Sequence, residues 1–172
     1  MEGKRPLIGT GGGDDGLLDV HRNPLLGRCL RAEATWTGRW GQRVRTRLVA
    51  ELEGRVIGHI AFSPVTLSDG TPDWCGLGPV SVQPEHQRQG VGSALIREGL
   101  GRLKAMDARG CCLVGHPEYY RRFGFENAPG LVLDGVPPEV SFVLSFGGPV
   151  PAGRVFFHEA FRADGPSRSA PE

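Results

Sequence analysis

Gln83-Pro84-Glu85-His86-Gln87-Arg88-Gln89-Gly90-Val91-Gly92-Ser93 is the stretch on which the fold turns. Before it stands Trp74 to Val82 (WCGLGPVSV), an extended run in which Pro79 bars a helix and weakens any sheet ladder locally. After it, Val91, Leu95, Ile96, Leu100, Leu103 and Met106 recur at helical spacing, which predicts an amphipathic helix ending near Met106–Ala108. Gly99 and Gly101 each cost about 1 kcal/mol against Ala inside such a helix, so the helix is expected to lie close against a sheet or another backbone.

The chemistry of this junction is that of a phosphate cradle. Backbone N–H groups around Gly90 and Gly92 can converge, a helix N-terminus carries partial positive charge, and glycine leaves no Cβ in the way. Arg88 and Ser93 add side-chain donors. A nucleotide P-loop is excluded because no Gly-Lys-Ser/Thr follows. The dinucleotide fingerprint is excluded because Leu95 stands where its third glycine or alanine belongs. A bare helix-capping turn remains the alternative at this level.

Outward from the junction, Leu48–Leu52, the turn Glu53-Gly54-Arg55 and Val56–Phe62 predict a hairpin. Gly110 stops the helix, and Cys111-Cys112-Leu113-Val114 reads as a short buried strand. Pro117 opens a short helix over 118–123, closed by Gly124. Leu131-Val132-Leu133, Ser141–Phe146 and Val155-Phe156-Phe157 are further strand candidates. Strand, helix and strand at the centre require a right-handed crossover and a parallel pair, hence one α/β (α+β) domain.

Composition narrows the classes. The 172 residues include 27 Gly and 14 Pro, about a quarter of the chain, yet 39% are hydrophobic and no Gly-X-Y period exists, so collagen is excluded. A formal charge of +1 offers no global field for nucleic acid or membrane. The run 39–47 (RWGQRVRTR) is basic and reads as a solvated face, with phosphate or RNA contact as the alternative. Cys29, Cys75, Cys111 and Cys112 show no metal-ligand spacing, so no metal is expected, and the adjacent pair reads as small core residues. Met1–Arg5 is not followed by an apolar signal region, and a soluble, reduced, cytoplasmic protein is the expectation.

Gln87-x-x-Gly90-x-Gly92, between a strand and an amphipathic helix, resembles the pyrophosphate-binding motif of the GNAT superfamily of N-acetyltransferases. A second stretch, Tyr119-Tyr120-Arg121-Arg122-Phe123-Gly124-Phe125, resembles that family's Phe/Tyr-Tyr-x-x-x-Gly-Phe signature, in the right order and at a suitable distance. The resemblance covers roughly residues 47–146. It implies a mixed central sheet whose two parallel strands splay apart, flanked by helices, with acetyl-CoA as co-substrate.

The resemblance also implies roles. Val80, Ser81 and Val82 would bind the pantetheine arm, a backbone N–H among them would polarise the thioester carbonyl, and Gln87, Arg88, Gln89, Gly90, Val91, Gly92 and Ser93 would hold the pyrophosphate. Tyr120 would protonate the leaving thiolate after direct attack by an acceptor amine, and Tyr119 would be core or cleft wall. His116 is the first candidate for the base that takes the amine's proton, Glu85 and His86 are weaker ones, and His59 reads as solvent-facing. The expected partner is a small-molecule or protein amine, with no nucleic acid or membrane, and the protein a monomer or homodimer. A non-catalytic acyl-CoA binder or an interaction module on the same fold is the alternative.

The sequence departs from the family twice. Leu113-Val114-Gly115-His116-Pro117 lacks the Asn that many relatives carry at the end of that strand. Residues 1–46, with nine of the 27 Gly, show neither the family's opening strand nor its helices, so they read as a diverged acceptor region or as a mis-set start or reading frame. The expected organisation is this atypical region at 1–46, the acetyltransferase domain at 47–164 and a disordered tail at 165–172.

Overall fold

A computed structural model describes residues 30–35 and 45–157. The proposed tail at 165–172 and most of the region 1–46 lie outside them. The strands are β1 (Leu30–Thr35), β2 (Arg45–Leu52), β3 (Arg55–Leu67), β4 (Trp74–Val82), β5 (Gly110–Val114), β6 (Leu131–Leu133), β7 (Ser141–Ser145) and β8 (Gly153–Phe157). Among the described residues two α-helices accompany them, α1 (Val91–Ala105) and α2 (Pro117–Tyr120), the latter running into a 3-10 turn at Arg121–Phe123.

The main sheet has the order β1-β2-β3-β4-β5-β7, and β8 pairs with the far half of β3 and with β6. Among the described residues, β4–β5 and β6–β8 are the parallel pairs. The β2–β3 turn places Glu53 and Gly54 at φ +50° and +77°, the doubly left-handed backbone that suits a two-residue hairpin. β1 corrects the expectation that residues 1–46 lack strand pattern. Its Leu30, Ala32 and Ala34 do alternate with Arg31, Glu33 and Thr35, but two of the three apolar residues are alanines, too small to make the period obvious.

Two apolar clusters lie on opposite faces of the sheet. Along β5, Cys111 and Leu113 belong to the cluster under α1, while Cys112 belongs to the other, with Trp74, Leu67, Leu131 and Val155. The period of two along a strand separates them. It also sends the two adjacent cysteines in opposite directions, both fully buried, as small core residues. Burial pushes the Cys75 thiol up to about 12 and those of Cys111 and Cys112 up as well, so none is a thiolate at neutral pH.

α1 lies across β2, β3 and β4 because Gly99 permits it. A Cβ there would collide with the Phe62 ring, so the glycine in the helix is the socket for a core aromatic. Gly101 has nothing within 4 Å and is exposed, so the close-approach expectation holds for one glycine and fails for the other.

Candidate active site

The central parallel pair is joined over only three positions, Trp74↔Gly110, Cys75↔Cys111 and Gly76↔Cys112. Beyond them β4 continues to Val82 on β3 alone, and β5 continues to Val114 on β7 alone. From Leu77 and Leu113 onward no ladder pair joins the two strands, which leaves a gap in the pairing in the middle of the sheet. Alternate N–H and C=O groups of a strand point to its two sides, so part of the Val80–Val82 main chain faces this gap.

The local sequence brings this about. The β3–β4 register slips between Ile60↔Val80 and Phe62↔Leu77, at the Gly78-Pro79 pair, where Pro79 has no N–H to give. The slip leaves Leu77, Val80 and Val82 all with the cluster under α1. Ser81, opposite His59 in the register, is exposed and belongs to the other face.

At the end of β4 the connector is tied down by its glutamines. Gln83 Nε2 donates to Val56 O (2.6 Å), Gln87 Nε2 to Val82 O (2.9 Å) and Gln89 Nε2 to Glu85 O (2.8 Å). The side chains of Gln87 and Gln89 thus shape the loop. Val91 is buried, against the space over Gly58. What the stretch presents outward is main chain together with the exposed Arg88 and the half-buried Ser93. Arg88 and Gly90 adopt left-handed φ of +59° and +89°, which turns the chain sharply into α1. Gly90 is the helix N-cap, makes no side-chain cap, and no acidic residue occupies the first turn. The leading N–H groups of a helix have no partner within it, so this end is suited to an anion.

α2 faces the same end. His116 is its N-cap, exposed, and its carbonyl accepts from Tyr119 N (3.1 Å) and Tyr120 N (3.2 Å). The half-buried Tyr120 ring lies against Gly115, where a Cβ would collide with it. Sequence reasoning passed over Gly115. The only signal there was a glycine directly after a buried strand. Burial, and secondarily Tyr119, raises the Tyr120 phenol above its ordinary value. No described residue hydrogen-bonds its hydroxyl or the His116 imidazole. Tyr119 also reaches the start of α1, since a Cβ on Gly92 would stand 2.9 Å from its hydroxyl. His59 is half-buried, on the face away from α1. Burial and then the Arg47 guanidinium hold its pKa below the usual value, so it is neutral at pH 7.

The structure therefore brings the Tyr119 hydroxyl beside the start of α1 and the end of β4, with the Tyr120 ring edge-on against Tyr119 at 5.1 Å and lying on Gly115. Among the described residues, no three His, Cys, Asp or Glu side chains gather as a metal ion would need, and no helix is long and apolar enough to cross a membrane.

The family model described as "Acetyltransferase (GNAT) domain" matches residues 44–127. A solved GNAT family acetyltransferase from Brucella melitensis, in complex with acetyl-CoA, is 48% identical, with 67% of this chain and 68% of that one covered and a TM-score of 0.58. The chain belongs to the GNAT family. The solved GNAT N-acetyltransferase YhbS of Escherichia coli, in complex with CoA, is similar to this GNAT protein at 33% identity, with 70% and 71% covered and a TM-score of 0.64. The uncharacterized N-acetyltransferase YjhQ of E. coli K12 is 40% identical over 85 residues, 48% of this chain and 47% of its own length. The match spans about half the length of these curated relatives. The mixed sheet of this GNAT chain, with its short parallel β4–β5 ladder, is the α/β architecture that the sequence led one to expect.

Proposed function

We propose that the protein is an acetyl-CoA-dependent N-acetyltransferase, moving an acetyl group to the amine of a small molecule or a protein by direct attack in a ternary complex. The observation that carries this reading is the opening between β4 and β5, which ends at the uncapped start of α1. The relatives from Brucella melitensis and E. coli were solved with acetyl-CoA and CoA. The residues here suit the same group: a strand edge for an amide-bearing arm, an uncapped helix end for a diphosphate, and Gly92 where a Cβ would stand close to the Tyr119 hydroxyl.

In this scheme Val80, Ser81 and Val82 bind the pantetheine arm through their main chain, as an added strand does. A backbone N–H at their start polarises the thioester carbonyl and stabilises charge developing on its oxygen. The main chain of Gln87–Ser93, with Arg88, holds the diphosphate. His116, directly before the tyrosine helix, accepts the proton of the attacking amine. Tyr120 donates its phenolic proton to the departing thiolate. The raised phenol keeps that proton through neutral pH, and its hydroxyl is committed to no described protein group. The site acts as a cytoplasmic, metal-free acyl-transfer centre.

Release of free thiol from acetyl-CoA with a panel of amines tests this, Tyr120→Phe against the unsubstituted protein. General acid catalysis contributes about 10²–10⁴-fold, so Tyr120→Phe is expected to lose turnover on that scale while keeping its affinity for acetyl-CoA. Undiminished turnover by Tyr120→Phe at every pH contradicts the acid assignment. Tight binding of acetyl-CoA without thiol release for any amine contradicts catalysis.

A further inference from the structure

Tyr119 has no role in the scheme above, and in the sequence it reads as core or cleft wall. Its hydroxyl nevertheless stands close to the start of α1. A Cβ on Gly92, in the first turn of α1, would be 2.9 Å from Tyr119 Oη and 3.5 Å from a Val82 methyl. The hydroxyl thus sits where the end of β4 meets the start of α1, beside leading N–H groups that no side chain caps.

The ring carrying this hydroxyl is held on several sides. Tyr120 and Phe123 meet it edge-on, with centroids at 5.1 and 5.5 Å. The Arg122 guanidinium lies over it at 4.6 Å, and Arg122 Nε donates to Tyr119 O (3.2 Å). Arg97 stacks on Phe123 at 5.3 Å, so two cations border the corner. Among the described residues no buried side-chain oxygen or nitrogen lacks a partner, so this half-buried tyrosine's unpartnered hydroxyl reaches solvent and is open to a ligand. Here no described residue hydrogen-bonds it.

We propose that Tyr119 Oη donates a hydrogen bond to the diphosphate of the bound acyl-CoA, and that glycine at position 92 lets this hydroxyl lie close to the first turn of α1. The assignment rests on the acyl-CoA reading and adds to it a side-chain donor from α2, on a different element from the loop 87–93. The two adjacent tyrosines then divide the ligand, Tyr119 at the phosphates and Tyr120 at the sulfur.

Calorimetric titration of Tyr119→Phe with acetyl-CoA and with S-acetylpantetheine, which has no diphosphate, tests it. The substitution keeps the ring and the Arg122 stacking and removes one oxygen. A hydrogen bond to a charged group predicts a dissociation constant for acetyl-CoA raised roughly tenfold or more, with that for S-acetylpantetheine unchanged. Unchanged affinity of Tyr119→Phe for S-acetylpantetheine shows that the variant keeps its fold, and carries the test if Tyr119→Phe melts at a lower temperature without ligand. An acetyl-CoA affinity within twofold of the unsubstituted protein overturns the assignment, and so does an equal loss for both ligands. Failure of the unsubstituted protein to bind acetyl-CoA overturns the acyl-CoA reading itself.

Discussion

Tyr120 and His59 illustrate how burial sets the charge state of a single side chain. Burial lifts the Tyr120 phenol, so its protonated form persists past its ordinary pKa near 10. If it is the acid, the rate profile should show no descending limb from this group below about pH 10. His59 moves the other way: burial and Arg47 favour its neutral form. The unfolded chain then takes up a proton near pH 6.5 while the folded protein resists it, so the unfolded state binds more protons there. Stability should be unaffected by His59 above pH 6.5 and should fall as pH drops below it. His59→Gln should flatten the dependence of melting temperature on pH below about 6.5, and an unchanged slope would contradict the cause given for the shift.

Helix α1 shows what a sequence pattern carries and what it leaves out. Its apolar spacing was legible, and so were the hairpin, β5 and the proline-opened α2, because each rests on local chemistry. Gly99 and Gly101 looked alike in the sequence, since the difference between them is the Phe62 ring, 37 residues upstream along the chain. Gly101→Ala should therefore stabilise the protein by about 1 kcal/mol, by removing a flexible residue from an exposed helix. Gly99→Ala should destabilise it by about 1–3 kcal/mol, because overpacking against Phe62 outweighs the helical gain. Chemical denaturation of the two variants measures both, and changes of the same sign would refute the packing argument. The same limit explains Tyr119 and Gly115: their roles depend on contacts with Gly92 and Tyr120 that spacing does not display.

For the whole molecule, the decisive feature is a sheet that is continuous at one end and open at the other. Three β4–β5 pairs hold the centre together, and the slip at Gly78-Pro79 coincides with the point where the strands part. The two motifs in the sequence pointed to this opening from either side, one before α1 and one after β5. Neither could show that the glutamine of the first motif serves the loop through Val82 O (2.9 Å). The glycine excess divides in the same way. Within residues 45–157 the glycines at 54, 90 and 124 take left-handed backbone, and those at 92, 99 and 115 make room for side chains.

The central claim is that this opening is an acyl-CoA site. Thermal or chemical unfolding with and without acetyl-CoA tests it most directly, because a ligand that binds only the folded state must stabilise it. At 100 times the dissociation constant the expected gain is about 2.7 kcal/mol, rising with the logarithm of concentration. No stabilisation by millimolar acetyl-CoA would contradict the claim.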